Sequence, residues 1–170
     1  QPKFVPNEAV KVCFGDGINV KMRLIDCVGY MVDGALGGAE EGKERMVRTP
    51  WSEDEMPFSK AAEIGTDKVI RDHSTIALAI TTDGSFTDIS RGEYEPAEEK
   101  VIAELKATTK PFAIILNVRD ENAPHVEGLK DSLEAKYDVP VIVKNALKMD
   151  ESDISEIMEN ILLEFGARTV

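Results

Sequence analysis

The pattern Asp-Cys-Val-Gly at residues 26–29 places a carboxylate three positions before a glycine. A carboxylate at the tip of a strand can hold Mg²⁺ through the water shell that this ion gives up reluctantly. A glycine has no Cβ, so its backbone N–H can come close to a phosphate oxygen. The pattern therefore predicts a metal-binding and catalytic role for Asp26 and a γ-phosphate contact for Gly29. A simpler interpretation, an aspartate that only starts a turn, stays open.

A second polar pattern, Asn-Val-Arg-Asp at residues 117–120, directly follows the apolar run "PFAIIL". An asparagine and an aspartate with this spacing, here Asn117 and Asp120, can hold a base-binding loop and read the edge of a purine. Two simpler interpretations stay open. Asn117 could only close its strand by bonding the neighbouring loop, and Asp120 could be a solvated surface charge. Val118 stands where such patterns usually have a lysine, which favours the surface-charge interpretation of Asp120.

The elements around these patterns decide whether their residues can meet. Apolar residues alternate along residues 9–26 on both sides of the turn "GDGIN", which predicts an antiparallel hairpin with Asp26 at its end. Apolar strands then follow at residues 76–80, 111–117 and 139–143, with helices near 58–72, 93–106, 126–133 and 154–165. Continuous apolar strands that alternate with helices predict a parallel sheet with helices on both faces. Ligands bind at the carboxyl ends of the strands in such sheets.

These elements predict an α/β fold, a mostly parallel GTPase-like sheet of the P-loop NTPase type with an antiparallel N-terminal hairpin. Residues 1–170 suffice for one such domain and are too short for two. The sequence has no G-x-x-x-x-G-K-[ST], the loop whose amides and lysine hold phosphates. We therefore expect this loop, and the central strand of the sheet, upstream of Gln1. The domain would then be incomplete at its N-terminus, and this chain alone would be inactive.

Residues 31–57 show no regular hydrophobic period and contain four glycines. Long irregular segments inside a compact domain are usually functional or mobile. Because this segment directly follows the glycine of D-x-x-G, we expect it to act as a switch. It would become ordered when nucleotide or a neighbouring subunit binds.

The composition excludes several kinds of partner. A formal net charge of −12 argues against nucleic acid or an anionic membrane surface, because both would repel the chain. The longest apolar runs, "IALAI" and "FAIIL", are too short to cross a bilayer, which predicts no direct membrane insertion. Cys13 and Cys27 have no metal-type spacing, so we interpret them as buried, reduced thiols of a cytosolic protein.

The sequence as a whole resembles the stage IV sporulation protein A family of endospore-forming Firmicutes. The resemblance covers essentially all 170 residues and is closest over residues 26–85. It is carried by "PKFVPNEAV", "RLIDCVGYMV" followed by "GALG", "RMVRTPW", "PF" with "AAEIGTDKVI", "DHSTIALAITTDGS" and "KPFAIILN".

The resemblance implies a P-loop ATPase of the translation-factor-related GTPase class, with ATP and Mg²⁺ as cofactors and Asp26 as its Walker B aspartate. It also implies a protein that polymerises with itself around the forespore as the base layer of the spore coat. Its partners would be a small amphipathic membrane-anchoring peptide and other spore coat proteins, on the mother-cell side of the forespore outer membrane in the cytoplasm. Further domains would follow Val170. A nucleotide-independent scaffold and a GTP-binding switch, which Asp120 by its spacing would permit, stay open as alternatives.

Overall fold

Short antiparallel strand pairs come first along the chain, and alternating strands and helices follow. The computed structural model describes residues 8–14, 17–32, 35, 39–40, 43–50 and 52–166. The strands are β1 (Val10–Phe14), β2 (Ile18–Met22), β3 (Ala39–Glu40), β4 (Lys43–Glu44), β5 (Met46–Thr49), β6 (Ser52–Pro57), β7 (Ala77–Thr82), β8 (Phe112–Asn117) and β9 (Val141–Lys144). The helices are α1 (Phe58–Lys68), which continues into a π-helical turn (Val69–His73), α2 (Arg91–Ala107), α3 (Pro124–Tyr137) and α4 (Glu151–Gly166).

The main sheet is parallel, with the strand order β7-β8-β9. On one face of the central strand β8, Ile114 and Leu116 pack with apolar residues of α2 and α3. On the opposite face, Ala113 and Ile115 pack with Ile157 of α4. Helices therefore cover both faces of the central strand, which confirms the predicted α/β fold. No helix in the described ranges is long and apolar enough to span a membrane.

The hairpin of β1 and β2 is shorter than predicted and forms a two-stranded sheet of its own. Val10, the first residue of β1, pairs with Met22, the last residue of β2. The ladder of the described residues ends at this pair. Residues 23–30 have no regular structure, and Leu24 is exposed. The prediction that Asp26 ends a strand is therefore wrong. Asp26 lies in the irregular connection that follows β2.

Residues 31–57, expected to be irregular, contain two short antiparallel strand pairs, β3 with β4 and β5 with β6. The glycines of this segment, at 34, 37, 38 and 42, lie outside the described residues. The sequence did not reveal β6 because it contains Glu53, Asp54 and Glu55, and acidic residues are depleted in strands. All three are exposed, and Glu55 forms an ion pair at 3.1 Å with Arg48 of β5. The expected ordering of this segment by nucleotide stays a prediction.

A buried carboxylate joins the sheet to two helices. Glu98 of α2 is only 5% exposed, and one of its oxygens accepts hydrogen bonds from Thr81 Oγ1 at 2.5 Å and Arg91 Nη2 at 2.6 Å. Its other oxygen accepts a hydrogen bond from the Tyr137 hydroxyl of α3 at 2.8 Å. Burial and then this bond raise the pKa of Tyr137 to about 12, which keeps the hydroxyl protonated at neutral pH. Because a buried charge is tolerated only when paired and hydrogen-bonded, this network fixes α2 and α3 on β7.

Removing this carboxylate should destabilise the fold far more than removing the exposed carboxylate beside it. Glu98→Ala leaves the largely buried Arg91 without its anionic partner, a loss of about 3–5 kcal/mol. Glu99→Ala removes only a solvent-exposed ion pair with Lys136, whose contribution is about 0–1 kcal/mol. Urea titrations measure the free energy of unfolding of both variants. Equal losses would contradict the role assigned to Glu98.

Candidate functional site

The D-x-x-G loop lies against α1. The amide of Gly29 donates a hydrogen bond to Thr66 Oγ1 at 3.1 Å, and Thr66 is almost completely buried in α1. Gly29 has a φ of +76°, a left-handed conformation that is strained for residues with a Cβ. Asp26 is exposed in the same connection. This loop is therefore held by a helix, although the sequence predicted that a strand end would hold it.

Tyr30, the residue after this glycine, is anchored on α2. Its hydroxyl donates a hydrogen bond to Glu104, and the Lys100 ammonium lies 4.7 Å from the centre of its ring. Lys100 also forms an ion pair with Glu63 of α1. Burial, together with the bond and charge of Glu104, raises the pKa of Tyr30 above its ordinary value. Tyr30 therefore remains a protonated donor at neutral pH and joins the D-x-x-G loop to both helices.

Side-chain amides join the loops that follow β8 and β9. Asn117 Oδ1 accepts a hydrogen bond from the Ala146 amide at 2.9 Å, so Asn117 does hold the neighbouring loop. Asn145 is 4% exposed, and its Nδ2 donates to the Arg119 carbonyl at 2.9 Å. Its Oδ1 accepts from the Leu147 amide at 3.1 Å. Sequence reasoning missed Asn145; the available signal was its position directly after the strand "VPVIVK".

Asp120 lies on the exposed part of the same edge. Its Oδ1 accepts a hydrogen bond from the Asn122 amide at 3.1 Å, an arrangement typical of a turn. Val118 is fully buried and presents no side chain to a base. In this arrangement Asp120 is a solvated loop residue, and its role in reading a base stays a prediction.

The loop after β7 joins the same edge through Asp83, whose side chain is 2% exposed. Asp83 accepts hydrogen bonds from the Ser85 amide and from His125 Nε2, both at 2.9 Å. Ser85 Oγ in turn accepts from the Arg119 amide at 2.9 Å. Burial alone would raise the pKa of Asp83, but the hydrogen bonds from Ser85 and His125 outweigh it and hold the pKa below its usual range. The three strand-end loops thus form one connected polar edge.

The structure brings only part of the predicted site together. Asn117 and Asp120 lie on the polar edge of the parallel sheet, whereas Asp26 and Gly29 lie on the connection held by α1. Among the described residues, no hydrogen bond joins Asp26 or Gly29 to either of the other two. Cys27 is a half-buried free thiol, and the side chain of Cys13 lies outside what the structure describes.

The carboxylates present suit a magnesium ion that is bound together with a nucleotide. They do not suit a magnesium ion that is held by protein ligands alone. In the part of the chain that the structure describes, no group of three or more His, Cys, Asp or Glu residues could hold a metal. Mg²⁺ needs only one or two carboxylates when phosphates and waters supply its other ligands. The exposed carboxylate of Asp26 suits that single role.

A parallel sheet covered by helices on both faces, with polar residues at its strand ends, is consistent with part of a P-loop nucleotide-binding fold. The chain belongs to the family of the ATPase domain of stage IV sporulation protein A, because the model of that family matches residues 1–166. This assigns the chain to a sporulation protein with an ATPase domain.

Named relatives agree with this assignment. The chain is 51% identical over 165 residues to stage IV sporulation protein A of Clostridioides difficile (strain 630), and 48% identical over 165 residues to that of Bacillus subtilis (strain 168). Each alignment covers 97% of this chain and 34% of the relative, so the chain spans about a third of the length of these relatives. No solved structure matches the chain.

His125→Ala should make the protein less resistant to acid. The lowered pKa of Asp83 means that its stabilising contribution is complete above the unfolded-state pKa of about 3.9, and is lost as pH falls through the folded-state pKa. Without His125 this folded-state pKa rises, so acid unfolding should begin at a higher pH. Circular dichroism during an acid titration measures the transition. His73→Ala, at the other exposed histidine, is the control, and identical transitions for both variants would contradict the pairing.

Proposed function

We propose that this chain is part of an ATP-binding and hydrolysing domain that uses ATP to drive self-assembly around the forespore, forming the base of the spore coat. The observation that supports this most strongly is that the family model of this ATPase domain matches residues 1–166. A nucleotide-independent scaffold and a GTP-binding switch are the alternatives. Competition binding of ATP and GTP to the full-length protein separates them from the proposal.

Each site residue has a proposed role. Asp26 would hold Mg²⁺, and the Gly29 amide would donate a hydrogen bond to the γ-phosphate. Asn117 fixes the loop that begins at Asn145, and Asp120 would read the edge of the base. Mg²⁺, when bound, would offset the negative charge of the phosphates. The residues of this chain then serve to position the phosphates and to supply one carboxylate, which is how such sites achieve most of their catalysis.

An open edge of the sheet supports the idea that the full-length protein completes the site. In the described ranges no strand pairs with the outer edge of β7. Leu78 and Ile80 of β7 are 37% and 67% exposed, although they lie beside Ala113 and Ile115, which α4 covers. Parallel sheets normally have both faces covered. We therefore propose that a strand and helix bearing the phosphate-binding loop, from another part of the full-length protein, pack here.

The proposed partners are further copies of the protein, a small amphipathic membrane-anchoring peptide and other spore coat proteins. The proposed location is the cytoplasm on the mother-cell side of the forespore outer membrane. The net charge of −12 makes nucleic acid an unsuitable partner.

Asp26→Ala in the full-length protein should reduce Mg²⁺-dependent ATP hydrolysis by about 100-fold or more, because a charge that stabilises the transition state is lost. Asp54→Ala removes another exposed carboxylate, from β6, and should leave turnover unchanged. Phosphate release under saturating ATP measures both, and circular dichroism verifies folding. Unchanged turnover in Asp26→Ala would show that this aspartate is not the metal-binding residue.

Residues 1–170 alone should not bind ATP saturably, because they lack a complete G-x-x-x-x-G-K-[ST] loop to hold the phosphates. A fluorescent ATP analogue titrated with Mg²⁺ should show saturation with the full-length protein and only a linear background with the isolated chain. Saturable binding with turnover by the isolated chain would overturn the proposed assignment of the phosphate-binding loop to another part of the protein.

A further inference from the structure

We propose that Thr66 and Tyr30 are positioning residues that hold the Gly29 amide away from nucleotide, so that a γ-phosphate must displace Thr66 Oγ1 as the acceptor of that amide. This inference rests on the proposed function, in which Gly29 contacts the terminal phosphate. It adds a competing contact within the protein that would set the preference for triphosphate over diphosphate.

The competition follows from the number of donors. A backbone amide has one hydrogen, and that of Gly29 is already donated to Thr66 Oγ1 at 3.1 Å. A phosphate oxygen cannot receive this hydrogen at full strength while Thr66 keeps it. Thr66 is 1% exposed, so water does not readily reach its hydroxyl. The bond therefore favours the arrangement of the loop without nucleotide.

The acceptor does not follow the loop, because α1 is anchored at its C-terminal end. The Lys110 ammonium donates hydrogen bonds to the carbonyls of Ile70, Arg71 and Ser74 at 2.6–2.8 Å. These carbonyls belong to the π-helical turn that continues α1 and to the residue after it. We therefore expect a movement of Gly29 toward a phosphate to break its bond to Thr66, because these bonds hold α1 in place.

Tyr30 restrains the same loop through α2. Its hydroxyl is bonded to Glu104 of α2, and its ring lies under the ammonium of Lys100. Because Tyr30 directly follows Gly29, a reorientation of the Gly29 peptide group also alters the orientation of the Tyr30 side chain toward α2. Binding of a γ-phosphate is thereby coupled to the contact with α2. Weakening either restraint should favour the triphosphate-bound loop.

The test measures the dissociation constants of ADP and of a non-hydrolysable ATP analogue, with Mg²⁺, for the full-length protein. Thr66→Val removes the acceptor and keeps the branched shape, so the analogue should bind about 2- to 10-fold more tightly while ADP is unaffected. Thr66→Ser keeps the hydroxyl and should behave as wild type. Thr75→Val, at an exposed threonine, is the control. A general effect on folding would change the dissociation constants of both nucleotides alike.

Tyr30→Phe provides a second test if Thr66→Val does not fold. It removes the bond to Glu104 and keeps the ring beneath Lys100, so it should also tighten binding of the analogue alone. The wild type could bind and hydrolyse ATP while neither variant changes the ratio of the two dissociation constants. The proposed restraint by Thr66 and Tyr30 would then be wrong, and the proposed function would stand. If the wild type binds no nucleotide, both proposals are wrong.

Discussion

Strand β8 is buried on both faces, with residues 112–116 between 0% and 5% exposed, and this burial determines the arrangement around it. Its backbone groups cannot turn to water, and each would cost about 1–3 kcal/mol if left unpaired. Pairing with β7 on one side and β9 on the other satisfies them. Parallel neighbours require crossover connections. Helices α2 and α3 provide these connections on one face, and α4 covers the other.

Parallel pairing also brings the carboxyl ends of the three strands to one edge. There the loops that follow the strands form hydrogen bonds with each other. They do so mainly through side chains that bond backbone groups of a neighbouring loop. Asn117 accepts from Ala146, Asn145 donates to Arg119, and the amide of Arg119 donates to Ser85. The bond of Asn145 is the one that water would replace least readily, because Asn145 is 4% exposed. This polar edge is therefore a fixed surface, suited to positioning a ligand.

Hydrophobic periodicity was sufficient to predict the parallel strands, the helices between them and the two covered faces, because these features depend on local patterns. The end of β2 was not predictable, because Leu24 continues the alternation of Val20 and Met22 although the pairing stops at Met22. The acidic sequence of β6 concealed a strand that pairing with β5 stabilises. Thr66 was not recognisable either, because its contact with Gly29 joins residues 37 positions apart.

The D-x-x-G loop is held by a different kind of contact from the polar edge. Gly29 is bound by one side chain of α1 and Tyr30 by two side chains of α2, and neither residue belongs to a strand. Such contacts can be exchanged one at a time, so their opening costs far less than the opening of the sheet. The helices that provide them are themselves fixed, α1 by Lys110 and α2 by the buried Glu98. A rearrangement can therefore occur in this loop while the frame that positions the rest of the site keeps its shape.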